Sequence, residues 1–233
     1  MPSRAAPALG VWSLIASVDV FYALCLRAPD FVVLDWEHGS WSAPDTDVAV
    51  QLAGRMGIAT VVRCSGPGQH EVQRAIDTGA QAIQVAGLHD ASALDELVIS
   101  YCEPPRGRRG YSPWTYRALG VGGPFPASPL LIAQAESEAV ARLLLDDDGD
   151  RWPEIGGVFV GRYDLSVSIG EPGRIAAAGV LDVVAKLAQH SSVSGRLLGT
   201  VAVDHEDAER VMALGSVFTS VGSDRDLLVR GSV

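Results

Sequence analysis

The chain has 233 residues, 28 acidic against 18 basic, for a net charge of −10. With 48% hydrophobic and 20% charged residues it reads as an ordinary globular protein able to bury a large core. The acidic balance argues against a nucleic-acid partner, because no basic stripe is available to neutralise phosphates. No apolar run reaches the length of a membrane span, and the N-terminus lacks a signal-peptide core, so a cytoplasmic protein without a membrane partner is expected. Cys25, Cys64 and Cys102 cannot all pair and form no C-x-x-C, so reduced, mostly buried thiols are expected.

In chain order, strands are expected at 8–15, 31–37, 59–64, 82–86, 130–136, 157–161, 197–203 and 217–222. Helical patterns lie between them at 18–27, 45–56, 70–78 and 91–102, then from the fifth strand through Leu145, and at 175–189 and 206–214. Pro44 marks one helix start, Asp90 is an N-cap candidate, and Gly57 and Gly79 are stops. The irregular stretch 103–129 holds six of the 13 prolines and reads as a functional loop rather than a domain boundary. Within it Arg106-Gly107-Arg108-Arg109-Gly110 is the one basic cluster, placed to face an anionic substrate or a neighbouring subunit. The acidic turn 146–150 lacks the spaced ligands of a calcium loop and reads as solvated.

Eight strands alternating with helices predict a single (β/α)8 barrel over 1–233. A doubly wound open sheet is the alternative, but Trp12-Ser13-Leu14-Ile15-Ala16-Ser17 is no phosphate loop. After the eighth strand only residues 223–233 remain, which predicts a shortened C-terminal helix.

A barrel of this kind carries its chemistry at the C-terminal ends of its strands. The run Phe31-Val32-Val33-Leu34 ends in Asp35, Glu37 and His38. The third strand ends in Arg63, the fifth in Gln134 and Glu136, and the sixth leads into Gly161-Arg162-Tyr163-Asp164. Singly, each has a structural reading: Asp164 as the cap of a turn, Glu136 as a helix-dipole partner, Arg63 as a counter-ion, His38 as a core histidine. Their coincidence on one rim favours a site. Glu136 and Asp164 offer two carboxylates to a hard cation such as Mg2+ or Mn2+. Arg63 suits an oxyanion, and His38, oriented by Asp35, suits proton transfer. Glu37 shares a strand face with Asp35, so a supporting hydrogen bond is expected of it.

These segments resemble the HpcH/HpaI family of class II pyruvate aldolases. The likeness spans residues 8–224 and rests on Leu34-Asp35-Trp36-Glu37-His38-Gly39, Val61-Val62-Arg63, Pro104-Pro105-Arg106-Gly107-Arg108-Arg109-Gly110, Gln134-Ala135-Glu136-Ser137 and Gly161-Arg162-Tyr163-Asp164-Leu165-Ser166. Ala202-Val203-Asp204 and Val221-Gly222-Ser223-Asp224 add to it. The resemblance implies a pyruvate-binding barrel and a lyase that cleaves or forms 4-hydroxy-2-oxo acids through a pyruvate enolate. Its substrates would be a 2-oxo acid and an aldehyde. It implies Glu136 and Asp164 as ligands of a divalent ion, Mg2+ or Mn2+ with Co2+ a further candidate. Gln134 and the amides near Tyr163 and Asp164 would bind substrate, Arg63 would steady the enolate, and His38 paired with Asp35 would handle the aldehyde-side proton. A homo-oligomer, trimer or hexamer, is implied as well.

Three departures stand out. Ala86-Gly87 replace a usual proline after Val85, which predicts a looser pocket wall. Arg162 replaces another proline, placed either to weaken cation binding or to catch a second substrate carboxylate. The chain also stops nine residues after Asp224, short of the closing helix usual in the family. Arg162 favours the runner-up reading, a decarboxylase or condensing enzyme acting on oxaloacetate-like oxo acids. A barrel without turnover, acting as a binding protein, is the reading from another class.

Overall fold

A computed structural model describes residues 6–120 and 128–231. Eight parallel strands close into a barrel in sequence order: β1 Ala8–Ser13, β2 Phe31–Asp35, β3 Ala59–Cys64, β4 Ala82–Val85, β5 Leu130–Ala135, β6 Ile155–Val160, β7 Leu197–Ala202 and β8 Phe218–Ser223. Helices α1 Val18–Cys25, α2 Ala43–Arg55, α3 Gln69–Asp77 and α4 Ala91–Tyr101 follow the first four strands. A short α5, Tyr116–Leu119, interrupts the proline-rich stretch, of which residues 121–127 lie outside the described residues. Then come α6 Glu138–Leu145, α7 Arg162–Ser168, α8 Ala178–Ser194, α9 His205–Ala213 and α10 Asp224–Arg230.

Strand periodicity sorts the side chains. On β2, Val32 and Leu34 pack outward among the helices, whereas Phe31 and Val33 point into the barrel and Asp35 continues that inner row. The floor of the barrel is aromatic. Phe31 and Phe218 fill it because the strands beside them carry glycine: a Cβ on Gly10 or Gly199 would stand 2.3 or 2.1 Å from those rings. Above them Trp12, Val33, Val61, Ile132 and Phe159 form an apolar layer. The topmost inward positions are polar: Asp35, Arg63, Gln84 and Gln134, all buried.

Helices that follow strands start on short polar caps. Ser17, Ser42, Asp90, Ser137, Asp204 and Ser223 each accept a first-turn N–H through the side chain. Asp224, the first residue of α10, closes the ring. Its carboxylate accepts the N–H groups of Leu14 and Ile15, both at 2.9 Å, and the Ser13 hydroxyl, tying β8 to the end of β1.

Two expectations are corrected here. The basic cluster is not left free for an anionic substrate: Arg106 pairs with Glu154, Arg108 with Glu96 and Arg109 with Glu103, so acids of the same chain neutralise it, with Arg106 and Arg108 still half exposed at the surface. Nor is the acidic turn wholly solvated. Asp147 is buried, accepts the N–H groups of Gly149 and Arg151, and pairs with Arg196 at 2.5 Å. Burial pushes its carboxyl up, but Arg196 and those N–H groups outweigh this and hold it below the usual range. All three cysteines are free, and burial pushes the Cys25 thiol up to about 11. Among the described residues no helix is long and apolar enough to cross a membrane.

Candidate active site

A cavity of about 410 Å3 opens at the C-terminal rim of the barrel. Asp35, His38, Arg63, Gln134, Tyr163 and Asp164 line it, above Trp12 and Phe159. Residues more than a hundred positions apart in sequence are thus brought to one mouth, where a barrel places its chemistry.

Arg63 is the most constrained group. Its Nε and Nη2 donate to the two Asp35 oxygens at 2.8 and 2.6 Å, and Nη1 lies 2.8 Å from Glu37 Oε2. Beneath it the Trp12 ring centroid is 4.5 Å from the guanidinium carbon, a cation–π contact. Strand register explains the fit. Asp35 and Arg63 are direct neighbours across β2 and β3, and the chain bends after Asp35, with the Glu37 N–H donated to Asp35 Oδ1 at 3.0 Å. A guanidinium has five N–H groups. Two of them donate to Asp35, while Nη1 pairs with Glu37 by charge, Glu37 Oε2 accepting no hydrogen bond.

The expected pairing of Asp35 with the His38 imidazole is not what the geometry gives. Asp35 is fully buried and both oxygens are taken by Arg63; it reaches His38 only through the backbone N–H, at 3.3 Å. The imidazole lies past the strand end with 66% of its side chain exposed, and the carboxylate beside it is Glu37, 4.0 Å away. Glu37, expected only to give support, thus stands between the guanidinium and the imidazole. Burial pushes its carboxyl up, Arg63 pulls it down, and Glu136 pushes it up again.

Glu136 is not among the residues that line this cavity; it packs against Gln134 and Gly161, which are. Gln84 donates to Gln134, whose Nε2 donates to Glu136 Oε1 at 2.5 Å. Gly87 N–H donates to Glu136 Oε2 at 3.0 Å. The position of this carboxylate is therefore set from two sides. Gly161 allows the close approach: a Cβ there would lie 3.1 Å from Glu136 Cγ. Asp164 is exposed in the first turn of α7 and is not its cap, which is Gly161.

The Gly87 contact was not foreseen from the sequence, and it corrects the expectation of a looser wall. Ala86 is fully buried, with its N–H donated to Cys64 O at 3.0 Å, a bond a proline could not make. Gly87 has φ of +63°, and a Cβ on it would meet Ser65 O at 2.4 Å. Only glycine suits that turn.

Arg162 also corrects its expectation. The side chain is fully buried and turned away from the cavity, bound bidentately to Asp207 and to the carbonyls of Val201 and Ile175. The turn into α7 sends it to the layer between barrel and helices. It neither weakens a cation at Asp164 nor meets a substrate.

Among the described residues no three His, Cys, Asp or Glu side chains converge as a metal cage. Glu136 follows β5 and Asp164 lies in the first turn of α7 after β6; two carboxylates have the donor chemistry of a hard cation, which would take its remaining oxygens from water and ligand.

The fold and this rim define a barrel enzyme of the pyruvate-binding kind. The chain belongs to the HpcH/HpaI aldolase/citrate lyase family, whose profile matches residues 8–231. It is 27% identical to a 4-hydroxy-2-oxo-heptane-1,7-dioate aldolase of Klebsiella pneumoniae subsp. pneumoniae, over 97% of this chain and 87% of the relative. It is 28% identical to a hydroxypyruvate/pyruvate aldolase of Deinococcus radiodurans, over 97% and 83%. A crystal structure of a family member from Burkholderia cenocepacia superposes with a TM-score of 0.85 at 22% identity, covering 97% of this chain and 92% of that one.

Proposed function

We propose that the protein is a metal-dependent lyase, an aldolase that makes or cleaves 4-hydroxy-2-oxo acids through the enolate of pyruvate. The observation that carries this reading is the Arg63 guanidinium, which lines the pocket, bound to Asp35, charge-paired with Glu37 and stacked over Trp12.

Glu136 and Asp164 would hold the divalent ion, Mg2+ or Mn2+ by the hardness of the donors, and it would polarise the 2-oxo acid. The protein does the rest. The Arg63 N–H groups not bound to Asp35 would meet the enolate oxygen as negative charge develops there. Because Arg63 is already locked, little reorganisation is needed at that moment. First-turn N–H groups of α7, at Tyr163 and Asp164, would hold the substrate carboxylate. His38 stands at the open side, where an aldehyde enters, and exchanges the proton of the new hydroxyl. Trp12 and Phe159 keep water from the floor of the pocket.

A homo-oligomer of this chain, trimer or hexamer, is part of the proposal and is carried by the family likeness. The oxaloacetate-directed alternative loses its support, because Arg162 does not face the pocket. The test is incubation with pyruvate, Mg2+ and a panel of aldehydes, with detection of 4-hydroxy-2-oxo acids. Formation of an adduct, abolished in Glu136→Gln, is expected; no adduct with any aldehyde tells against the reading.

A further inference from the structure

The inner row at the top of the barrel continues past Arg63. Asp35, Arg63 and Gln84 are direct neighbours in register across β2, β3 and β4. Gln134 stands two residues beyond Ile132, the β5 partner of Gln84, and so on the same inward face. Both amides are buried, at 1% and 2% exposure, but only Gln134 lines the cavity. The layer just beneath is apolar, with Val61 and Ile132. An apolar side chain at position 84 would extend that layer and spare the cost of burying an amide. What the amide adds is a donor: Gln84 Nε2 donates to Gln134 Oε1.

That bond fixes the sense of the second amide. An ionised carboxylate only accepts, so Gln134 must turn Nε2 toward Glu136, as it does at 2.5 Å. Its Oε1 then faces β4 and needs a donor, which Gln84 supplies. The two ends of an amide have nearly the same shape, so packing alone does not choose between them. Turned over, the Gln134 amide would set an oxygen against the carboxylate. Gly87 secures Glu136 Oε2 through the backbone at 3.0 Å, whereas Oε1 is secured by a side chain able to rotate. A carboxylate has about four lone-pair sites, so one N–H on each oxygen leaves room for a cation.

We propose that Gln84 is a positioning residue: by holding the Gln134 amide in one sense, it keeps an N–H on Glu136 and presets that carboxylate for the divalent ion. This rests on the aldolase reading above, which makes Glu136 a metal ligand. Gln84 touches neither ion nor substrate and acts wholly through Gln134.

The test is Mn2+ binding without substrate, followed by electron paramagnetic resonance, in the parent, Gln84→Met, Gln134→Met and the double variant. Methionine keeps the length of the side chain and removes the donor. Gln84→Met should weaken Mn2+ binding about tenfold in the parent background. In the Gln134→Met background it should change binding by about twofold or less, because no amide remains to be oriented. Gln84→Leu, alone and with Gln134→Met, should repeat both results and decides the matter if the methionine variant does not fold. A merely structural role would cost the same in both backgrounds. That outcome, or an affinity unmoved by Gln84→Met, overturns this inference alone. A parent that neither binds Mn2+ nor exchanges the methyl protons of pyruvate overturns the aldolase reading and this inference with it.

Discussion

Asp35 and Arg63 face each other across neighbouring strands and share two hydrogen bonds, of 2.8 and 2.6 Å, in a fully buried carboxylate–guanidinium fork. The fork makes Arg63 a fixed part of the barrel rather than a mobile side chain. It also assigns Asp35 to the guanidinium and leaves the His38 imidazole to Glu37.

Replacing Asp35 with Asn should therefore act through Arg63. Removing one member of a buried pair costs several kcal/mol, and Glu37 still holds one side, so a loss of about 2–3 kcal/mol is expected in chemical denaturation. A misplaced guanidinium should lower kcat by roughly 10- to 100-fold. A His38 tautomer effect alone would leave stability unchanged.

Arg162→Met should be costly to the fold and nearly silent in the chemistry. It leaves Asp207 buried without its partner, for an expected loss of about 3 kcal/mol. Burial pushes the Asp207 carboxyl up, but the hydrogen bonds and charge of Arg162 outweigh it and hold it below its usual value. A depressed carboxyl contributes stability that is complete above the unfolded carboxylate range and lost as pH falls through the folded value. The parent should therefore lose stability on acidification in that window, and the variant should lose less. Parallel denaturation curves of the two proteins against pH would count against this.

Gly87→Ala places a Cβ against Ser65 O at a φ of +63°. Strain of about 1–3 kcal/mol is expected in the melting curve. Displacement of the Gly87 N–H from Glu136 should weaken Mn2+ binding by about tenfold, measured by electron paramagnetic resonance without turnover. Undiminished Mn2+ affinity would separate this turn from the carboxylate.

The sequence shows most of this in the strands. A β-branched run ending in Asp35 reveals both the strand and, by its two-residue period, that Asp35 joins Phe31 and Val33 on the inner face. What it hides is non-local. Arg162 sits in a segment that reads as rim, yet its partner Asp207 lies on α9, 45 positions away. The Gly87 N–H to Glu136 depends on a backbone turn and not on a side chain. The basic cluster looks free until Glu96, Glu103 and Glu154 are folded around it. The seven-residue α10 is the short C-terminal helix expected after the eighth strand, but its place beside the cavity shows only in the fold.

The central claim, that Arg63 and Glu136 together serve a pyruvate enolate, is tested most directly by exchange of pyruvate methyl protons with deuterium in the presence of Mg2+, followed by NMR. No aldehyde is needed. The parent should exchange well above the rate of Mg2+ in buffer, and Glu136→Gln and Arg63→Lys should each slow it by about 100-fold. A parent no faster than buffer, or variants as fast as the parent, would contradict the site.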